Sequence, residues 1–476
     1  MDKNYSNLFT VDGPVSLKQS LPLAFEHLIA MIAGCIAPTL IFAGAAGLDY
    51  ANSILLVQMS LIGSALTTLL IILAPVRLIG NKLPMIYGVS FSYVPTMIAL
   101  ANQFESLGSK NIVAIVLGAQ LIAAIVSFVF GFALKYVLPY FPPLVAGTVV
   151  LSIGLSLYPV ALNYMGGGGD VSMAGWGSWE YWFIAAVTLV ANIIFTHFGK
   201  GMVSLASVLL SMIVGYILAF FMGYVDLSPV AESGWFSFVN PMYFGIKFEP
   251  SAVAAFIIIF IVTCIEGIGD MNSTTIGGMN RPATSDELRG GIMGFSVANI
   301  LGAFIGTLPT ATFSQNAGIV SINKVINKKV FITSSIMILI AGLVPKFSSL
   351  LLTIPYPVIG GATISVFAAI TMNGIRMITS QPLSMRNTYI VGVSVAIGFG
   401  FTQVVTAAHN AGVTFMPESL EVAIGSSPVV LTTLFAFIMN LVIPEKEEDK
   451  AWCLKIFKWV YKQCSRNKLY TNFTKL

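Results

Sequence analysis

Charge is what this sequence has least of. Only 9% of its 476 residues are Asp, Glu, Lys or Arg, against roughly 25% in soluble domains. That scarcity excludes a soluble globular chain. With 56% hydrophobic residues it also excludes disorder, which needs low hydrophobicity and high net charge. The net charge is +4 and the basic residues form no face, so no nucleic acid is expected as a partner. Cysteine is scarce as well: Cys35, Cys264, Cys453 and Cys464 give no C-x-x-C pair and no disulfide framework. There are three histidines, no H-E-x-x-H and no aspartate-rich motif, so no metal, no cofactor and no enzyme chemistry are expected. The first twenty residues lack the charged-then-apolar pattern of a cleaved signal, so the first membrane segment is expected to be retained.

What the sequence has in abundance is apolar runs near the 20 residues a helix needs to cross the hydrocarbon core. They centre on 20–44, 51–74, 85–101, 109–132, 137–158, 178–198 and 201–225, then on 250–268, 287–307, 311–323, 330–350, 354–375, 385–405 and 417–443. The runs are continuous rather than alternating, which disfavours a transmembrane barrel. The expected fold is an all-α polytopic membrane protein with 14 segments, seven plus seven. Basic residues test the count, because cytoplasmic loops collect Lys and Arg. With the N-terminus inside, 21 of 24 fall on the inner side, and only Lys110, Lys247 and Lys346 fall outside. Both termini are then cytoplasmic, in a multi-pass protein of the cell membrane surrounded by lipid. In the tail, Trp452, Ile456, Trp459 and Val460 share one helical face among Lys455, Lys458 and Lys462. That pattern reads as an interfacial amphipathic helix or as a solvated basic tail.

Two segments are broken. The third contains Gly88 and Pro95, and the tenth is short and polar. Interrupted segments at matching places in two halves point to a carrier's binding site. Two echoes support a repeat. Ser90-Phe91-Ser92 resembles Thr312-Phe313-Ser314, and Pro143-Leu144-Val145-Ala146-Gly147 resembles Pro357-Val358-Ile359-Gly360-Gly361. Both join segment n to segment n+7, and an odd number per repeat inverts the halves.

Ionisable groups inside a span are costly and functional by default. Glu26, Glu266 and Asp270 stand out, while Glu418 and Glu421 near the last segment read as interfacial. Glu266 and Asp270 are four apart and share a helix face. Buried carboxylates so close disfavour one another's charge, so the pair can carry a proton or accept an N–H from a ligand. Asp270 has a second reading, as the end of its helix. His27 can relay a proton or satisfy a neighbouring span. It does not face Glu26, because adjacent helical residues diverge. Segment ten carries Ser314-Gln315-Asn316-Ala317-Gly318. A side-chain amide offers a donor and an acceptor, which suits a heterocyclic lactam edge. Irregular backbone at Gly318 and in segment three would expose main-chain donors and acceptors to a cavity.

These residues resemble the nucleobase–ascorbate transporter family. Its signature (Gln, Glu or Pro, then Asn-x-Gly, four residues, Thr) reads here Gln315-Asn316-Ala317-Gly318 through Asn323, with Asn323 in place of Thr. Its Glu-x-x-Gly-Asp segment is Glu266 to Asp270, its Ser-Phe motif is Ser90-Phe91, and its Gln-His pair is Glu26-His27. The resemblance implies that Glu266 and Gln315 hold a nucleobase, that backbone near Phe91, Ser92 and Ser314 adds hydrogen bonds, and that Asn316 supports the site. Asp270, His27, Glu26 and Gly318 would serve coupling or support. The fold it implies is an inverted repeat with a core domain (20–134 and 247–350), a gate domain (135–226 and 351–443) and cytoplasmic ends (1–19 and 444–476). It also implies a homodimer through the gate domains. Gln at the first signature place resembles the purine branch. Phe295 stands where many purine members carry an Asp, and Glu26 where Gln is usual, which raises the expectation that Glu26 takes over part of the coupling. The expected function is import of xanthine or uric acid with a co-transported cation, a proton or alternatively sodium. A uracil carrier, and a channel or anion carrier on the same fold, are the competing readings.

Overall fold

The computed structural model describes residues 7–76, 78–137, 141–168, 175–413, 425 and 427–444. The amphipathic tail with Cys453 and Cys464, and Glu418 and Glu421, lie outside the described residues. The first half contains α1 (Leu17–Ala45), α2 (Tyr50–Leu73), α3 (Val94–Gln103), α4 (Ser109–Val137), α5 (Pro143–Met165), α6 (Trp179–Phe198) and α7 (Ser207–Phe221). The second contains α8 (Pro250–Met279), α9 (Ser285–Ile305), α10 (Ser314–Asn323), α11 (Lys328–Gly342), α12 (Tyr356–Thr379), α13 (Met385–Asn410) and α14 (Pro428–Val442). Among the described residues nine helices are long and apolar enough to cross a membrane: α1, α2, α4, α5, α6, α8, α9, α12 and α13. A tenth arises if α11 is joined to the short helix Pro345–Leu352, from which it is bent by 80°. The chain is therefore a multi-pass helical membrane protein.

Among the described residues one two-stranded sheet interrupts the helical architecture, and it falls in the two broken segments. Strand β1 (Tyr87–Val89) pairs antiparallel with β2 (Thr310–Thr312), in the register Tyr87↔Thr312, Gly88↔Ala311, Val89↔Thr310. Buried polar side chains hold both strands, because backbone at this depth finds no water. The Thr68 hydroxyl accepts from the Tyr87 N–H at 2.9 Å and donates to the Tyr87 carbonyl at 3.1 Å. Asn299 on α9 accepts from the Thr310 N–H at 2.9 Å and donates to the Thr310 carbonyl at 3.2 Å. Gly88 is required by close approach: a Cβ there would stand 2.8 Å from the Phe313 ring. Each strand runs into a ten-residue helix, α3 or α10. At 1.5 Å per residue each spans ~15 Å, about half the hydrocarbon core.

Helix ends follow local chemistry. Ser16 and Gln19 form a capping box at α1, and Thr284 and Glu287 form one at α9. Glu287 also takes a forked pair of hydrogen bonds from Arg281, at 2.6 and 2.8 Å. Helix α8 does not stop near residue 268, as its apolar run suggested. It continues to Met279, so Asp270 sits within the helix rather than at its end. After α10, an N-terminal segment straps onto the link to α11. The fully buried Asn327 amide nitrogen reaches the carbonyls of Asn7, Thr10 and Gly13 at 2.9, 3.0 and 2.9 Å. Its oxygen caps α11 through the Lys329 N–H at 3.0 Å, and Lys328 pairs with Asp12.

Helices α5 and α12 pack through glycines, the small-residue contact that lets membrane helices approach. A Cβ on Gly147 would lie 2.8 Å from the Gly374 carbonyl oxygen, and one on Gly360 would lie 2.6 Å from the Met165 nitrogen. The start of each helix thus meets the end of the other, and the two proline-led echoes occupy equivalent ends of this antiparallel pair.

Candidate functional site

Helix α8 presents two carboxylates to the broken segments. Ser92, two residues before α3, donates its hydroxyl to Glu266 Oε2 at 2.8 Å. One turn further, Asp270 accepts from both sides: Thr312 Oγ1 reaches Oδ2 at 2.5 Å and Ser314 Oγ reaches Oδ1 at 2.7 Å. The echo Ser90-Phe91-Ser92 and Thr312-Phe313-Ser314 thus has a chemical counterpart. Its last members, Ser92 and Ser314, each donate to one of two carboxylates a turn apart. Asp270 is 6% exposed, so these donors replace the water it lacks.

Around this centre the surface is open on one side. Ser314, Gln315, Gly318 and Gly269 are exposed, and a Cβ on Gly269 or Gly318 would meet nothing within 4 Å. The Gln315 amide makes no hydrogen bond among the described residues, so both its donor and its acceptor are available. On the other side Phe91, 6% exposed, meets Phe367 of α12 edge-on at 5.2 Å and 80°. Ser90 accepts from the Ser92 N–H at 3.2 Å and fixes the turn into α3.

His27 and Asn316 sit behind this surface, both fully buried. Asn316 Nδ2 lies 2.9 Å from His27 Nδ1 and 3.3 Å from the His27 carbonyl, a pairing that leaves the ring proton on Nε2. The ring packs on Phe331 at 4.6 Å. Glu26 is half-buried and lies against the Asn323 side chain. Asn323 is seven residues beyond Asn316, ~10 Å along α10, so Glu26 faces the far end of that helix. Phe295 is buried, packs on Phe260 at 5.8 Å, and lines a small apolar cavity with Tyr87, Cys264 and Thr312. Its position is filled by hydrocarbon contacts rather than by a polar network. Among the described residues no cluster of three His, Cys, Asp or Glu is placed to hold a metal.

Sequence reasoning missed two participants. Thr312 appeared only as part of an echo, although its hydroxyl, one residue pair before Ser314, was a readable signal. Phe367 carried none, since a phenylalanine in an apolar helix has no distinguishing context.

Residues 18–407 match the family described as "Permease family" (Xan_ur_permease). The chain is 32% identical over 436 residues to the nucleobase transporter PlUacP of Paenibacillus larvae subsp. larvae, covering 90% of this chain and 96% of that one. It is 30% identical to the uric acid transporter UacT of Escherichia coli, covering 90% and 87%. It is 29% identical to the xanthine permease XanP of Escherichia coli, covering 94% and 96%. Among solved structures, the transmembrane domain of the cyanobacterial bicarbonate transporter BicA aligns with a TM-score of 0.57 at 14% identity, covering 90% of this chain and 98% of that chain. That likeness concerns the fold alone.

Proposed function

We propose that this chain, which belongs to that permease family, is a secondary carrier that imports a purine base, xanthine or uric acid, together with a cation. It is a transporter and not an enzyme. The observation that carries the substrate reading is the meeting of two interrupted segments at the α8 carboxylates, beside an unpaired Gln315 amide and open space at Gly269 and Gly318. A purine lactam presents N–H beside C=O. Glu266 accepts the N–H, Gln315 pairs with the lactam edge, and the Ser314 and Gln315 N–H groups that open α10, which have no carbonyl partner within the helix, meet the ring oxygen. Asn316 and His27 hold α10 in place. A proton on Glu266 or Asp270 provides the coupling, with sodium as the alternative cation.

The same reading takes the fold as 14 segments in an inverted 7+7 repeat. Its core domain is α1–α4 with α8–α11, and its gate domain is α5–α7 with α12–α14. The antiparallel β1–β2 pair and the reciprocal α5–α12 contacts support that symmetry. Movement of core against gate exposes the site to each side in turn. Both termini lie in the cytoplasm, on the strength of the Lys and Arg distribution, and two copies pair through their gate helices as the family resemblance implies. The test is Glu266→Gln, which keeps the shape and removes the charge and the proton site. Active uptake of labelled xanthine and urate is lost while the protein remains in the membrane. Full uptake by the variant would overturn the assignment.

A further inference from the structure

A cavity of about 530 Å³ lies at the opposite end of α1 from His27, bordered by Ile41, Gly44, Asn102, Glu105 and Asn163. Two tyrosines also line it. Tyr164 ends α5 and Tyr356 begins α12, and their rings meet edge to face at 4.8 Å and 61°. Tyr164 is 3% exposed and donates its hydroxyl to the Ile41 carbonyl of α1 at 3.3 Å. One turn on, Gly44 makes room for both rings: a Cβ there would stand 3.2 Å from the Tyr164 hydroxyl and 3.3 Å from that of Tyr356.

The position of this pair along the helices gives it meaning. Phe367, which touches Phe91 beside Ser92 and Glu266, is eleven residues beyond Tyr356, ~16 Å along α12. The tyrosines therefore line the cavity at a level about half a membrane span from the carboxylates. The exposed positions Gly269, Gln315 and Gly318 lie toward the other end, where α8 ends at Met279 and α10 at Asn323. The site is open on one side and shut on the other, and the shut side is bridged between α1 and the α5–α12 pair by one hydroxyl–carbonyl bond.

We propose that Tyr164, Tyr356 and Gly44 form a latch that closes the passage from this cavity to the carboxylate site and must part before a base can enter from the cavity side. The inference rests on the alternating-access reading above, with the cavity facing outward. Gly44 favours the closed state, because a Cβ there presses on both hydroxyls at 3.2 and 3.3 Å and a branched side chain would displace the rings. Among the described residues only the Tyr164 hydroxyl ties α5 to α1 at this level.

The test reads conformation without substrate. Ala37, one turn before Ile41 and 1% exposed, is replaced by Cys as a reporter, and its labelling by an impermeant maleimide is followed from outside the cell. Tyr164→Phe removes a single neutral hydrogen bond, and reporter labelling rises by roughly 2- to 12-fold. Gly44→Val wedges the rings apart, so labelling rises further and uptake stops. Unchanged labelling in both variants, with thermal melting in detergent like that of the parent, would overturn the latch. If labelling responds but no purine is taken up by the parent, the substrate reading fails and the latch stands.

Discussion

Ser92 gives the sharpest quantitative handle on the site. Its hydroxyl holds one oxygen of Glu266 at 2.8 Å, and the proposed function has the other oxygen meet a ligand N–H. Removing it by Ser92→Ala deletes no ligand contact but frees a carboxylate side chain that binding must then order. Ordering one such side chain costs ~0.5–1.5 kcal/mol, so the dissociation constant for xanthine rises roughly 2- to 12-fold. Ser92→Thr keeps the hydroxyl and restores affinity. A double-mutant cycle with Glu266→Gln isolates the pair, because a hydroxyl bond to a charged group is worth ~1.5–3 kcal/mol and one to a neutral amide ~0.5–1.5 kcal/mol. The measurement is equilibrium binding of labelled xanthine to purified protein, with initial-rate uptake in vesicles beside it. An unchanged dissociation constant in Ser92→Ala, with the protein intact, would refute the view that Glu266 is preorganised for the ligand.

Two further outcomes follow from packing. Asn327→Ala leaves three carbonyls of the N-terminal strap without their shared donor and removes the α11 cap, a loss of ~2–4 kcal/mol in local stability; hydrogen exchange at residues 7–16 and 324–330 accelerates, and an unaltered pattern would contradict the strap. Gly360→Ala forces a Cβ against the backbone of Ala161 and Met165, and overpacking of this kind costs ~1–3 kcal/mol. Its melting temperature in detergent falls, whereas that of Gly392→Ala, where a Cβ meets nothing within 4 Å, does not.

Much of this was readable in the sequence because a membrane punishes exceptions. Lipid tolerates no unpaired backbone, so Gly88 and Pro95 in one short segment and the polar run from Ser314 in another marked interrupted crossings; Gly88 lies within β1, and Pro95 and Ser314 follow the two strands. Glu266 and Asp270 were conspicuous for the same reason. What the sequence concealed was partnership. Nothing local says that Thr312 and Ser314 both serve Asp270, that Asn316 finds His27 across 289 residues, or that Glu26 faces Asn323. Strand pairing was hidden as well, since three-residue strands are too short to show alternation. The end of α8 was misread because polar residues from Asn272 to Thr275 lower its hydropathy without breaking the helix. Two of them bond back to the helix, Asn272 to the Ile268 carbonyl at 3.1 Å and Thr275 to the Met271 carbonyl at 3.0 Å.

The two interruptions also explain one another. Because β1 and β2 are antiparallel, α3 and α10 leave the strand pair in opposite directions, and both amino ends point back toward the centre. A helix amino end carries about half a positive charge; at α10 the Ser314 and Gln315 N–H groups have no carbonyl partner within the helix, whereas at α3 the Val94 N–H is taken by the Phe91 carbonyl and Pro95 has none. Helix α8 runs past with two carboxylates at the same level. A lactam needs both kinds of partner at once, an acceptor for its N–H and a donor for its C=O. An unbroken crossing at either place would supply neither free N–H groups nor a concave surface, and the carboxylates would face closed hydrocarbon. On the proposed reading the binding chemistry resides in the interruption as much as in the side chains, and the hydroxyls of Ser92, Thr312 and Ser314 tie the broken ends to the acidic helix.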